Sequence, residues 1–419
     1  MIILRLALKS LLNRLALVTL TTLCIALSVG LVVGVEKVRD GARASFAGTV
    51  SGVDLIIGAR SGNVQLMLYA VFRIGDAANN LTWETYSAIA ERPDVDWIIP
   101  LSLGDSHRGY RVVGTDQSYF EHFRYRDDQS LRFGAGAPFD DLFDVVLGAT
   151  VSEDLGYEIG DVLVLNHGLG SIGLAEHGDL PFRVSGILER TGTPVDKALH
   201  VSLSAIEAIH VDWQSGGVPF GERTEADALR AMDLTPRSVT AALVKLTSPI
   251  ATFTAQRDLN QYREEPISAV IPGLALLELW SVVEIVEAAL RLVAALMVVA
   301  ALAGMIATLL ALLNDRRREI AILRAVGAGP WHVVGLLVSE ATLIGTTGAL
   351  LGVVAAYASM ALAAPWIEGT FGLGLDIAAP GSVDGLIVLA VAATSAAAGL
   401  VPAYFAYRKS LADGIAVQS

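Results

Sequence analysis

The sequence contains a single cysteine in 419 residues. That excludes an intrachain disulfide and a multi-cysteine zinc site. Cys24 does not read as a lipid-attachment cysteine either, because Thr21, Thr22 and Leu23 precede it where small residues behind a leucine are expected. No Gly-x-x-x-x-Gly-Lys-Ser/Thr phosphate loop occurs anywhere in the chain. Positive charge is in short supply, with 30 Lys+Arg against 43 Asp+Glu and a net charge of −13. That balance argues against nucleic acid as a partner. The apolar stretches carry no nucleophile or paired-acid constellation, so the chain reads as non-catalytic.

Hydrophobic residues make up 53% of the chain, and mean hydropathy is +0.55. This is too apolar for an ordinary soluble protein and points to several membrane spans plus a soluble part. Four runs are long enough to cross a bilayer, which takes about 20 residues. The first, Leu15–Val35, has no charge and is preceded by Arg5, Lys9 and Arg14. It is too long for a signal peptide and lacks a small-residue cleavage site, so it reads as an uncleaved span. The second runs from about Leu292 to Leu313. The third, Val333–Ala364, is interrupted only by Glu340. The fourth runs from about Gly385 to Tyr407, followed by Arg408 and Lys409.

Topology follows from the loops. Lysine and arginine collect before the first span, between the second and third, and after the fourth. Residues 365–384 carry Glu368, Asp376 and Asp384 and no basic residue. The positive-inside rule then puts both termini in the cytoplasm and residues 36–284 outside. That insertion holds 20 Lys+Arg against 35 Asp+Glu, so the acidity of the chain belongs to it. Acidity of this kind reads first as a means of solubility.

The insertion reads as mixed α and β. Strands are expected at Asp54–Gly58, Val95–Leu103, Tyr110–Val113, Gly160–Leu165, Phe182–Leu188 and Ser238–Lys245. Helices are expected at 82–91, with Thr82 as N-cap, and at 152–155, 204–210 and 251–264. Residues 211–235 are polar and read as a mobile insertion. Glu278–Leu313 is one long helix that starts outside the membrane and continues into it. The segment Gly62–Gly75, with Val64-Gln-Leu-Met-Leu-Tyr-Ala-Val-Phe, reads as a core strand or else as an exposed apolar surface.

The stretch 314–329, Asn-Asp-Arg-Arg-Arg-Glu-Ile-Ala-Ile-Leu-Arg-Ala-Val-Gly-Ala-Gly, joins the second and third spans. On a helix, Ile320, Leu323 and Val326 share one side while Arg316, Arg317, Arg318 and Arg324 sit mostly elsewhere. Gly327, Gly329 and Pro330 stop it. A basic stop-transfer cluster needs no patterned apolar face, which favours a docking surface for a cytosolic partner. Glu340, an ionisable group inside a span, is a functional candidate by default, and the favoured reading is that it snorkels or accepts a hydrogen bond near the cytoplasmic end of its span. Gly345, Gly348 and Gly352 imply close helix packing. His167, Glu176, His177 and Asp179 share one glycine-rich loop of a type that suits zinc. No tight His-x-His spacing supports a site, so the loop reads as a tip for cargo or a partner protein, with metal the alternative.

These residues carry a family resemblance. One span, a large insertion and three further spans, with Arg-Arg-Arg-Glu-Ile-Ala-Ile-Leu-Arg-Ala-Val-Gly-Ala at 316–328, resemble the FtsX/MacB/LolC class of ABC transporter permeases. The insertion resembles a MacB-like periplasmic core, through Val112-Val-Gly-Thr-Asp, Tyr119-Phe, Val146-Leu-Gly-Ala-Thr, Leu155-Gly, Ile159-Gly-Asp and Phe182-Arg-Val-Ser-Gly-Ile-Leu. Leu4–Asn13 also fits. The implied fold is an α-helical membrane protein with four transmembrane helices and a mixed α/β extracytoplasmic domain between the first two.

In that frame residues 1–14 form a cytoplasmic amphipathic helix, 15–35 the first span and 36–284 the periplasmic domain. Residues 285–313 form the second span, extended out of the membrane, and 314–330 the coupling helix. The third span is 331–364, the periplasmic loop 365–384, the fourth span 385–407 and the cytoplasmic tail 408–419. The resemblance implies a bacterial inner-membrane permease, paired with a second copy and seated on a dimer of cytosolic ABC ATPases that carry ATP and Mg. A periplasmic binding or adaptor protein is a further implied partner. The coupling residues would be Arg316, Arg317, Arg318, Glu319, Ile320, Leu323, Arg324, Val326 and Gly327. The implied mechanism is mechanotransmission on periplasmic-side cargo such as a peptide, amphiphile or lipoprotein. The alternatives are a lever that signals to a periplasmic partner without transport, and an envelope system that handles zinc.

Overall fold

The computed structural model describes residues 14–167, 180–213, 224–315, 322, 326–371, 374 and 379–415. These fall into two compact units. One combines Met1–Gly41, Val283–Ala364 and Asp376–Ser419; the other combines Ala42–Val282 with Pro365–Leu375.

The first unit is built from four helices, Leu15–Gly48, Pro272–Asp315, Pro330–Phe371 and Ser382–Ile415. Each is long and apolar enough to cross a membrane. All four are longer than the span read from hydropathy, because hydropathy marks the lipid-crossing part of a helix and not its ends. The second contains 44 residues, about 66 Å at 1.5 Å per residue, against a hydrocarbon core of about 30 Å. The third continues past Ala364 through Pro365 to Phe371, so the first residues of the expected 365–384 loop are helical. Proline inside a helix forfeits one backbone bond and does not by itself end it. The fourth helix likewise continues through the expected tail to Ile415.

Close approach of backbones holds this unit together. A Cβ on Gly352 would lie 2.5 Å from the Ala26 carbonyl oxygen and 3.0 Å from the Gly30 nitrogen. One on Gly348 would meet Ile25 at 2.8 Å, and one on Gly345 would strike the Ser395 side chain. The third helix therefore packs on the first and fourth through its glycines, in the small-residue manner of membrane helices. Glu340 is 0% exposed, so it does not snorkel. It is enclosed by the bundle, where the fourth helix comes close enough for a Cβ on Gly399 to meet Ala341 at 2.8 Å.

The second unit is a mixed α/β domain. Its main strands are β1 (Leu55–Ala59), β2 (Val95–His107), β3 (Tyr110–Thr115), β4 (Phe133–Gly136), β5 (Asp144–Leu147), β6 (Phe182–Leu188), β7 (Ala198–Ser202), β8 (Ala241–Leu246) and β9 (Ile267–Val270). They run β9-β1-β8-β2-β3-β7-β5-β6-β4 in one sheet. The β3–β7 and β5–β6 pairs are parallel and the others antiparallel. Strand β6 alternates buried and outward residues along its length, the period of two visible in its sequence. β1 and β5 are buried throughout, as apolar runs inside a sheet covered on both faces are, and the edge strand β9 is buried as well.

Several local expectations change. Residues 63–70 form a helix, not a strand. Leu66, Met67, Tyr69 and Ala70 are buried while Gln65 faces out, a helical spacing that a continuous apolar run conceals. The segment belongs to the core, against β1, where a Cβ on Gly58 would meet Leu66 at 2.8 Å. Within Gly160–Leu165 only Val162–Leu163 is a strand, paired to β6. The polar stretch 211–235 contains a 3-10 turn at Val211–Trp213 and a helix at Ala226–Arg230. Thr82 caps the helix Trp83–Ala90 by accepting from the Thr85 amide.

Packing at Gly352 is testable. Gly352→Leu must overpack the first and third helices, at a cost of about 1–3 kcal/mol. It is expected to lower the thermal midpoint of detergent-purified protein. Gly34→Leu, at a position with nothing within 4 Å, is expected to leave the midpoint nearly unchanged.

Candidate functional site

The candidate site is the connection between the second and third membrane helices. The second helix is described as far as Asp315 and the third from Pro330. Arg316, Arg317, Arg318, Glu319, Ile320, Leu323 and Arg324 lie outside the described residues. Ile322 is helical and exposed, and Val326 and Gly327 form a turn. Val326 is 84% exposed, so within this chain its apolar side chain packs on little. Gly327 has φ +100°, a conformation open to glycine and costly for other residues. It lets the chain leave the 320–326 segment and enter the third helix within three residues. Trp331 is also exposed, beside an apolar groove of about 360 Å³ lined by Pro330, Trp331, Val334, Leu400, Ala403 and Tyr404.

A polar knot lies elsewhere in the same unit, among the helix ends. Lys37 Nζ is 3.3 Å from Asp384 Oδ2. The same carboxylate accepts from Tyr357 Oη at 2.9 Å and from the Gly381 amide at 2.8 Å. The Lys37 ammonium also sits 5.6 Å from the centre of the Tyr357 ring. One carboxylate thus ties the first, third and fourth helices together. Neither hydropathy nor spacing announces it, since Lys37 is more than 300 residues from the other two in sequence and Tyr357 and Asp384 stand on different helices.

The extensions of the first two helices are seated in the α/β unit by aromatic contacts. Phe46 packs on Phe72 with ring centres 4.4 Å apart and meets Trp280 edge-on at 5.7 Å. The Arg43 guanidinium lies 5.2 Å from the Trp280 ring centre. Phe46, Leu276 and Leu279 pack against the main core of that unit.

Four of the described histidines, at 107, 122, 200 and 210, make packing or hydrogen-bond contacts within the α/β unit. His107 is buried between the Val164 carbonyl, 2.6 Å from Nδ1, and the Tyr157 hydroxyl, 3.0 Å from Nε2. Burial holds its pKa below the ordinary value. His200 is fully buried on β7, 4.9 Å from the Tyr119 ring and 6.2 Å from Phe120. Burial first, and the Arg73 charge second, push it down to about 3. His122 stacks on Trp97, and His210 Nδ1 contacts the Ile206 carbonyl. Of the loop named for zinc, Glu176, His177 and Asp179 lie outside the described residues, while His167 belongs to a two-residue strand paired with β2. Among the described residues no group of three or more metal-ligating side chains forms.

The fold and site define a four-helix membrane protein with an α/β domain inserted after its first helix. Comparison with known families gives two matches. The MacB-like periplasmic core domain model covers residues 18–262, and the FtsX-like permease C-terminal model covers residues 291–411. The chain belongs to this family of MacB/FtsX-type ABC transporter permeases. Among solved structures, the periplasmic region of MacB from Actinobacillus actinomycetemcomitans is 13% identical with a TM-score of 0.35, covering 55% of this chain and 94% of that one. The extracellular domain of the ABC-type transporter YknZ from Gram-positive bacteria is 13% identical with a TM-score of 0.29, covering 52% and 98%. Family membership rests on the two family models. No curated protein matches the chain.

The buried His200 sets a pH dependence. Above about pH 6.5 the imidazole is neutral folded and unfolded, and it has no effect on stability. Between there and about 3 the unfolded chain binds a proton that the folded chain refuses, so stability falls as pH falls. Asp116 and Asp196, raised chiefly by burial, act in the opposite sense. They cancel when His200→Leu is compared with wild type. From pH 7 to 4 the wild type is expected to lose more stability than the variant, on the order of a few kcal/mol, as read by denaturant unfolding of the α/β unit.

Proposed function

We propose that this chain is the permease subunit that couples ATP hydrolysis on a separate ATPase to motion of its α/β domain. The observation that supports it most is helix continuity. The second helix runs unbroken from Pro272, two residues after β9, to Asp315, where the basic segment begins. A rod of this kind carries displacement along its axis, because every backbone bond within it is already made. The aromatic seat of Phe46, Phe72 and Trp280 fixes its far end and that of the first helix to the core they would move.

In this reading residues 314–330 dock in a groove of the ATPase. Ile320, Leu323 and Val326 fill the groove, Arg324 pairs with an acidic group there, and Arg316–Arg318 anchor the second helix at the headgroups. The exposure of Val326 and the left-handed turn at Gly327 agree with a segment whose apolar face awaits a partner. ATP and Mg bind the ATPase, since this chain has no phosphate loop. The termini and the docking segment are cytoplasmic, the α/β domain is periplasmic, and a second copy completes the permease. Cargo such as a peptide, amphiphile or lipoprotein is engaged on the outer side.

Affinity purification in mild detergent, with an ATPase assay and mass spectrometry of retained proteins, tests this. A soluble ATPase is expected at one per permease. Leu323→Asp is expected to abolish its retention. Arg324→Glu is expected to lower ATPase stimulation by about tenfold, the scale of reversing one buried interfacial charge, while membrane insertion is unchanged. A well-folded preparation that retains no ATPase overturns the assignment.

A further inference from the structure

The end of the third membrane helix is gripped by the α/β unit. Residues Pro365–Leu375 belong to that unit, and two basic side chains of one loop hold them. Lys197 Nζ donates to the carbonyl oxygens of Gly369 at 2.7 Å and Thr370 at 2.8 Å. These are carbonyls of the last helical turn, which lack partners within the helix and carry the negative end of its dipole. An ammonium there makes charge-assisted bonds in the place where a helix best accepts them. Arg190 bridges Glu153 of the α/β unit and Glu368 of the helix, the latter at 3.1 Å. A backbone bond from the Gly374 amide to the Gly192 carbonyl, 3.1 Å, adds a third attachment.

The loop that presents these groups is itself rigid. Asp196 is buried, and its carboxylate accepts from the Thr191 amide and hydroxyl, both at 2.8 Å, and from the Gly192 amide at 2.7 Å. The loop backbone is pressed against the turn after β5, where a Cβ on Gly148 would lie 2.3 Å from the Val195 carbonyl oxygen. The Gly148 amide also donates to the Ala198 carbonyl at 2.9 Å. Loop 190–197 is thus fixed to the sheet between β6 and β7. Its side chains hold the helix end as a bracket rather than as a flexible tether.

We propose that Lys197, with Arg190, makes the third membrane helix a further mechanical link between the 314–330 segment and the α/β domain. This rests on the lever reading above. The docking segment joins the second helix at one end and the third at the other. The second helix enters the α/β unit after β9, and the third enters it through the Lys197 bracket. Displacement of the segment then reaches the domain at two separate places, the sheet edge at β9 and the loop between β6 and β7. Two separated points of application supply a couple, which turns a body in addition to the push that either supplies alone. Lys197 and Arg190 are positioning residues in this scheme and contact neither cargo nor nucleotide.

The test uses the full chain in lipid nanodiscs, with and without its ATPase. Lys197→Met and the double variant Lys197→Met/Arg190→Gln are compared with Lys197→Arg, which keeps a charged donor. Hydrogen–deuterium exchange at 366–371, read without ATP, is expected to quicken by about tenfold in both charge-removing variants, the scale of a charge-assisted hydrogen bond. It should return toward wild type in Lys197→Arg. With the ATPase bound, the same variants are expected to retain it at wild-type stoichiometry but lose at least half of the ATP-dependent change in exchange at loop 190–197. Unchanged exchange at 366–371 without ATP overturns the bracket. Faster exchange there with a full ATP-dependent response overturns the mechanical link. Failure of the wild-type chain to retain any ATPase overturns the lever reading and the link with it. That failure is distinguishable because the arm without ATP still reports on the bracket.

Discussion

Lipid offers no hydrogen bonds, and the rest of this structure depends on that constraint. A backbone crossing hydrocarbon has to satisfy its own donors and acceptors, and in a single chain the helix is the solution. Once a helix is made for that reason it is stiff, and nothing compels it to stop at the membrane surface. Here the first three helices contain 34, 44 and 42 residues, well beyond the roughly 20 that a bilayer requires. The solubility requirement of the membrane is thereby converted into long rigid members whose ends lie where polar chemistry is available. Proline at 365 and 402 interrupts neither the third nor the fourth helix.

At those ends the chain uses the interactions that bare helices cannot supply. Asp384 of the fourth helix gathers a lysine of the first, a tyrosine of the third and the Gly381 amide just ahead of its own helix onto one carboxylate. Phe46 and Trp280 bury the extended parts of the first and second helices in aromatic contact. Glycines serve the middle of the bundle, where lipid is as apolar as leucine and close van der Waals approach is the available source of affinity. Gly352 and Gly348 admit the backbone of the first helix, and Gly345 admits Ser395 of the fourth. Polar contacts at helix ends and small residues at helix middles therefore divide the work according to the local solvent.

What was legible in the sequence follows the same division. Hydropathy identified four spans, and the acidic insertion between the first two, because burial in lipid selects composition over long windows. The β6 strand and the Thr82 cap were legible because their signals are local. The helix at 63–70 was concealed since Val64–Phe72 is apolar nearly throughout, and a helix and a strand buried in a core look alike in such a run. The helical part of 365–371 was concealed because Pro365 reads as a boundary. The attachments of that segment come from Arg190 and Lys197, distant in sequence. Of the 314–330 segment, the arginine pattern and apolar stripe were visible at once, while of the residues named for coupling Val326 and Gly327 are the ones whose placement is described. The Asp384 knot had no sequence signal, since each of its members is ordinary where it stands.

The histidines illustrate why residue type alone is weak guidance. Five of the seven, at 107, 122, 200, 210 and 167, sit on or beside strands and helices of the α/β unit, a distribution that can suggest metal. His107 and His200 are each enclosed, and burial holds each toward its neutral form. A neutral imidazole is what a metal requires, but His200 is packed against aromatic rings of Tyr119 and Phe120, and His107 has both ring nitrogens occupied. His107 contributes hydrogen bonds and His200 aromatic packing to the sheet on which loop 190–197 is mounted. The proposed lever needs a stiff sheet, because a displacement applied at its edge is useful only if the far side follows.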